Sequence, residues 1–297
     1  MEPLPQDIAE RLERRLGELP VLPAVVTGLV RLDASRDDYF ETVLRYVHGD
    51  PGFAVRLMKQ ANAAPSGNAR PIDSIHGALL RVGARSAVDL ILAQATSRIF
   101  PPRHARDRVL WAHSLNTAWL MRRLAPMMLD ERVDPNVAYV VGLLHDIGRF
   151  IIHLELPVDE CPEEEEPWES ETEFLTAELG MTGHTHTELG SLALQAWGLP
   201  PEFWHAARDH HLPPEQRDDT GVQSSLLDLL RDADRIALIA PPWTQDWSGE
   251  VVQPLRDLLS DGLVRRYRGD TLHRLGIVHN ALGEAARSIA VLDVAPS

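Results

Sequence analysis

Apolar residues recur three and four positions apart along most of the chain, and alternating β-branched runs bounded by turn residues are scarce. The pattern predicts helices nearly throughout. A short amphipathic helix runs from Gln6 to Leu16 and stops at Gly17 and Pro20. Leu22 to Leu32 follows a proline-rich entry. Asp50-Pro51 places a capping acid before a proline at the first helical position and opens the helix GFAVRLMKQANAA. No element is assigned between Leu32 and Asp50. Asp73 or Ser74 caps IHGALLRV, which Gly83 ends, and Ser86 to Phe100 closes at Pro101-Pro102.

Pro101-Pro102 reads as a boundary between lobes. Beyond it, Asp107 to Met127 and Pro135 to Leu154 are predicted as two long helices, the second opened by Asp134-Pro135. Leu156 to Thr172 is a Pro/Glu-rich loop. Helices resume near Phe174, at Thr187 to Trp197, at Pro201 to His210 and at Gln223 to Ala240. After a loop carrying Trp243 and Trp247, a closing pair spans Val251 to Tyr267 and Leu272 to Leu292. The expected fold is all-α, with an N-terminal multi-helix lobe packed on a C-terminal helical bundle. Its segments are 1–17, an N-terminal helix; 18–102, the first lobe; 103–240, the bundle; and 241–297, a C-terminal extension.

Composition adds mainly exclusions. The 297 residues are 44% hydrophobic and 25% charged, an ordinary globular balance. No apolar run is read as reaching the roughly 20 residues of a bilayer-spanning helix. The N-terminus carries acids and arginines where a signal peptide would be apolar. Cys161 is the only cysteine, which excludes an internal disulfide. A cytoplasmic location is therefore expected, with no membrane partner. The net charge of −15 is concentrated: Asp159, Glu160, Glu163 to Glu166, Glu169, Glu171 and Glu173 put nine negative charges into fifteen residues, read as a solvated loop. Lys59 is the only lysine, and no basic stripe stands out, so nucleic acid is not an expected partner.

The chemistry concentrates in the second half. His145-Asp146 sits in the apolar run LLHDIGRF. A buried carboxylate is costly unless paired, hydrogen-bonded or bound to a cation. His113 lies thirty-two residues earlier on the preceding predicted helix. His186 stands at a helix start, His210-His211 at a helix end, and Asp234 faces inward in LLRDADRIALIA, while Asp232 and Arg235 are assigned to the solvent face. Imidazole and carboxylate together suit a divalent ion such as Fe, Mn, Ni, Mg or Zn, and helical bundles build such sites from facing helices. Each residue alone has a plainer reading. A single buried histidine is more often hydrogen-bonded in a core, and His210-His211 could simply meet the negative end of a helix dipole. The set, in this order, is far more specific than any member.

That set resembles the HD superfamily of metal-dependent phosphohydrolases, whose order is His, His-Asp, then a distant Asp. The resemblance implies His113, His145, Asp146 and Asp234 as metal ligands, His186, His210 and His211 as ligands of a second site, and Asp146 as the catalytic residue of an active member. The first lobe resembles the opening half of the HDOD family, the HD-related output domain of bacterial signalling, in LPVLPAVVTGLV, DPGFAVRLMKQANAA and RPIDSIHGALLRVGARSAVDLILA. HTELGSLALQAWGLPPEFWHAARDHH resembles its later segment, so the likeness covers about residues 15 to 240. It implies a two-lobe helical fold with an HD-like bundle, and a regulatory output role whose partners are signalling proteins or a second copy in a homodimer. Active cyclic-nucleotide hydrolases of the superfamily commonly carry a lysine where Arg149 stands and Gly-Tyr-Pro where Leu212-Pro213-Pro214 follows His211. They also carry a metal-bridging glutamate upstream, for which no counterpart precedes His113. The expected function is an output module acting through protein contacts, with a metal or small phosphorylated ligand at the HD centre. The alternative is a metal-dependent phosphohydrolase acting on a nucleotide or cyclic dinucleotide.

Overall fold

The computed structural model describes residues 5–20, 24–63, 72–129, 133–156, 170–217, 222–240, 249–261 and 266–292. These form helices joined by short turns, with one isolated antiparallel bridge between Met128 and Tyr267. The acidic stretch with Cys161, and the tryptophans Trp243 and Trp247, lie outside the described residues.

The first lobe contains α2 (Ala24–Val30), α3 (Tyr39–Gly49), α4 (Pro51–Ala63), α5 (Ile75–Val82) and α6 (Ala84–Ile99). The expected caps hold. Asp50 Oδ1 accepts from Gly52 N at 2.7 Å, and Ser74, not Asp73, caps α5 through Gly77 N. Gly83 ends α5 at φ 86°, a conformation that favours glycine. The helix α3 is an addition to the sequence reading, and Val43 and Val47 bury its inner face.

The bundle is built on α7 (Ala105–Leu124), whose residues from Leu110 to Met121 are all buried. A helix buried on every side belongs at the centre of a fold. Against it pack α8 (Pro135–Leu144), α13 (Val222–Ile239) and α15 (Thr271–Leu292). Beyond α8 come α9 (Ile147–Glu155), α10 (Glu171–Thr182), α11 (His186–Ala196) and α12 (Pro201–Asp209). The remaining helices are α1 (Pro5–Gly17), which docks on α9, α10 and α11, and α14 (Gly249–Asp261), which leads into α15. The lobes meet where α6 lies on α8 and where α15 touches α4 and α6. Asp89 is buried at that seam, 2.5 Å from Arg122 Nη1.

Two expectations are corrected here. The single helix Pro135 to Leu154 is in fact two, because Asp146 turns out of helical geometry at φ −97°, ψ 19°. The run Pro135–Glu155 also reaches 21 residues and is apolar enough to cross a membrane by length and composition, contrary to the sequence reading. Most of it is buried inside the protein, which makes it a core element of this fold.

Backbone contact at Gly142 fixes the α7–α8 spacing. A Cβ there would lie 2.8 Å from both Cα and N of Ala118, with no flexible side chain to yield. Gly142→Ala should lower stability by about 1–3 kcal/mol through overpacking. Gly276, on the exposed side of α15 with nothing within 4 Å of its virtual Cβ, is the control. Gly276→Ala should be neutral or stabilise by up to about 1 kcal/mol. Urea unfolding of both variants checks the opposite signs.

Candidate metal centre

Five segments converge on Asp146. His113 comes from the middle of α7, His145 and Asp146 from the α8–α9 break, His186 from the first position of α11, His210 and His211 from the end of α12, and Asp234 from α13. The break matters because it turns two adjacent side chains onto one centre. Gly148 then lets α9 touch α11: a Cβ there would fall 1.9 Å from the carbonyl oxygen of His186. The glycine after His145-Asp146-Ile147 is thus required by packing next to the centre.

The distances divide the residues into two groups sharing Asp146. In the first, His113, His145 and Asp146 offer atoms within 4.8 Å of one another. Asp234 joins them, with Oδ1 2.9 Å from His113 Nε2 and 3.5 Å from His145 Nε2. In the second, His186, His210 and His211 gather with Asp146 within the same limit. Nε2 of His186 and of His210 each stand 3.5 Å from Asp146 Oδ1. The structure therefore brings together every residue the sequence singled out, including the second set.

The ring nitrogens are oriented from behind. His145 Nδ1 donates to Gly142 O at 2.9 Å, and His210 Nδ1 donates to Ala207 O at 2.9 Å. His186 Nδ1 donates to Glu178 Oε2 at 2.8 Å, and the same oxygen accepts from His186 N at 2.6 Å. Each arrangement leaves Nε2 pointing inward, which is how metal-binding imidazoles are commonly held. Sequence reasoning missed Glu178. It reaches His186 across the turn at Gly183, φ 77°, so helical periodicity gives no signal for it. Phe174 covers His186 and His211, with ring centroids 5.8 and 6.5 Å away, and Arg149 lies over the Phe174 ring while its Nη1 is 3.6 Å from Asp146 Oδ2.

Asp232 is a correction. It is buried, not solvated, accepting from Arg266 Nη1 at 3.0 and 3.1 Å and from Tyr267 Oη at 3.0 Å. Arg235 is exposed as expected. Asp234 points to the centre.

A cation fits the donors. Nε2 of His145 and His210 and Oδ1 of Asp146 are buried without a hydrogen-bond partner, and His113 Nε2 has only the 2.9 Å approach of Asp234 Oδ1. Such groups are rare in folded proteins and call for a ligand, ion or water. Burial opposes ionisation of Asp146 and Asp234, yet the surrounding imidazoles hold both carboxyls well below the usual range. Burial also opposes a charged His145, but Asp146 and Asp234 outweigh it and lift its pKa to about 9. Burial and His211 push His210 down to about 3. In the metal-free centre a proton on His145 stands where a cation would.

This sets a pH dependence. The folded-state pKa of His145 exceeds its unfolded value of 6.5, so its contribution to stability is complete below about pH 6.5 and lost as pH rises through about 9. In chelator-treated protein the stability gap between wild type and His145→Gln should narrow steadily from pH 6 to pH 9, as read by urea unfolding.

A family model for the HDOD domain matches residues 19–213. A protein of Treponema pallidum (strain Nichols), itself uncharacterised, is 24% identical over 213 residues, which cover 71% of this chain and 41% of that relative. The chain thus spans less than half the length of that relative. Among solved structures, an HDOD domain protein of unknown function from Geobacter sulfurreducens superposes with a TM-score of 0.63 at 22% identity, covering 97% of this chain and 94% of that one. A protein of Shewanella amazonensis SB2B, whose name proposes a phosphohydrolase, gives a TM-score of 0.67 at 20% identity and covers 96% and 98%. At these identities the likenesses establish the fold.

Proposed function

Because the chain belongs to the HDOD family, we propose that it is a signal-transduction output module that works through protein contacts, with a divalent ion bracing the bundle at the His145-Asp146 centre. The observation that carries this reading is closure. His186 is 0% exposed, His145 1%, Asp146 and His210 2%, and His211 and Asp234 reach only 8%. The helix α10 seals one side through Phe174, through Glu178 on His186, and through Glu171, 3.4 Å from Arg231. An ion fits such a centre, whereas a phosphodiester would have to displace its walls.

His113, His145, Asp146 and Asp234 would hold the ion, with His186, His210 and His211 serving a second one. The mixed imidazole and carboxylate donors suit Fe, Mn, Ni, Mg or Zn. A bound ion would supply positive charge and a lowered pKa for a coordinated water. The chain's own residues do the rest. Glu178 fixes the tautomer of His186, Gly142 O and Ala207 O fix His145 and His210, and Arg149 adds charge beside Asp146. The proposed partners are signalling proteins of the cytoplasm, or a second copy of the chain.

One observation favours a second reading. Asp146 is shared by two ligand groups, an arrangement suited to a pair of ions acting on a phosphate ester. Turnover separates the two readings. Purified protein loaded with Mn or Fe should bind stoichiometric metal and gain about 2.7 kcal/mol of stability when free metal is a hundredfold above Kd. It should show no hydrolysis of nucleotides, cyclic dinucleotides or bis(4-nitrophenyl) phosphate. Hydrolysis abolished by Asp146→Ala would replace the output reading with the enzymatic one, and failure to bind any divalent ion would remove the metal from both. Glu178→Gln should weaken metal binding about 10–100-fold by releasing His186, measured by calorimetry.

A further inference from the structure

The wall that α10 gives the metal centre differs from the others. The candidate ligands come from α7, the α8–α9 break, α11, α12 and α13, and none comes from α10. Only Phe174, Glu178 and Thr182, four positions apart on one stripe, are buried on this helix. Phe174 covers His186 and His211, and Glu178 holds His186 from behind. Thr182 bonds locally, donating to Glu178 O at 2.9 Å and accepting from His184 N at 3.2 Å. Glu171 adds a partly exposed pair with Arg231, and such pairs hold weakly. The helix ends at Gly183, whose φ of 77° favours glycine and turns the chain toward α11. The helix α10 can therefore leave the centre without dismantling the ligand set.

What backs it from outside is α1. Of the described helices, α1 lies most extensively against α10, and it rests on α9 and α11 as well. Ile8 and Leu12, four positions apart, enter the core from α1. Arg11 and Arg15 reach Glu155 at the end of α9, while Glu13 Oε1 stands 3.3 Å from His184 Nε2 in the turn between α10 and α11. These charged contacts are partly exposed on their α1 side, which leaves Ile8 and Leu12 as the main anchors. One helix thus ties the fixed end of α9 to the wall formed by α10 and to the turn on which that wall hangs.

We propose that α1 is a latch on α10. While α1 is docked, α10 stays closed and the ion is retained. Release of α1 frees α10 to swing about Gly183, and the ion then exchanges with solvent. Regulation acts on α1, at a distance from the ligands themselves. The effect on the ion rests on the metal reading above, whereas the coupling of α1 to α10 does not.

The test uses the full chain, metal-free, with Ile8→Ala/Leu12→Ala compared with wild type by backbone hydrogen exchange and mass spectrometry. Exchange in α1 and α10 should rise at least about tenfold, the equivalent of about 1.4 kcal/mol of local opening. The central helix α7, and α11, which also touches α1, should keep their protection. Leu12→Ala alone, a milder truncation, should accelerate the same two helices by less. An α10 unchanged while α1 exchanges faster would overturn the proposal. So would an α1 still protected without its anchors, or a rise of equal size in α7 and α11. In a second arm, Mn-loaded protein is mixed with excess EDTA, and the double variant should lose its ion at least about tenfold faster. Unchanged ion loss beside a faster α10 would also overturn the latch. A wild type that holds no ion fails the metal reading, and the exchange arm still decides whether α1 governs α10.

Discussion

Asp146 and Asp234 are ionised carboxylates buried in a helical bundle, and most of the surrounding architecture answers to them. Moving such a charge out of water costs several kcal/mol, recovered only with close partners and good geometry. The partners are mainly imidazoles, whose ordinary pKa lets them gain or lose a charge near neutral pH. To deliver them, the apolar helix from Pro135 breaks at Asp146, α8 presses on α7 at Gly142, and α9 presses on α11 at Gly148. The backbone approaches at these two glycines bring His113 and His186 within reach of the same carboxylate. The fold is thus arranged around a charge it could not otherwise bury.

Much of this was legible in the chain. The caps at Asp50-Pro51 and Asp134-Pro135 act locally, and local chemistry is what sequence records best. The ligand set was legible because its residues are chemically unusual inside apolar helices. What escaped notice depends on contacts distant in sequence or on turns. Asp232 and Asp234 are two positions apart and were assigned opposite environments, yet Arg266 and Tyr267, some thirty-four residues on, cover the outer one. Glu178 meets His186 across a left-handed turn. The break at Asp146 is invisible to periodicity, since Ile147, Phe150 and Ile151 continue the apolar pattern. The helix α3 carried an ordinary apolar stripe and stops at Gly49-Asp50-Pro51, but no proline or glycine marks its start after Asp33-Ala34-Ser35-Arg36-Asp37-Asp38.

The helix α9 joins the two chemical regions of the bundle. Asp146 caps its start, and its last turn carries His153 and Glu155. Carbonyls at a helix end need partners. Here Arg106 donates to the carbonyls of His153 and Leu156, and Arg11 to that of Glu155. The helix α1 is therefore clamped to the same helix that begins at the metal centre. A displacement of α1 changes the environment of the Glu155 end, and a short rigid helix has few ways to absorb that change within itself.

Retention of the full ligand set is weak support for turnover. Removing one partner from a buried charged group costs about 3–5 kcal/mol, because the remaining charges stay buried and uncompensated. A whole domain has only about 5–15 kcal/mol of stability. A chain that had lost catalysis could not shed these residues one at a time without approaching unfolding. Stability alone can thus preserve His113, His145, Asp146, His186, His210 and Asp234 together. Access discriminates where the ligand set does not, because an enzyme must admit its substrate and a brace need not. Phe174 over His186, Glu178 behind it and Arg149 beside Asp146 are spent on closing the centre. That allocation fits a bundle held in one arrangement for a partner to read.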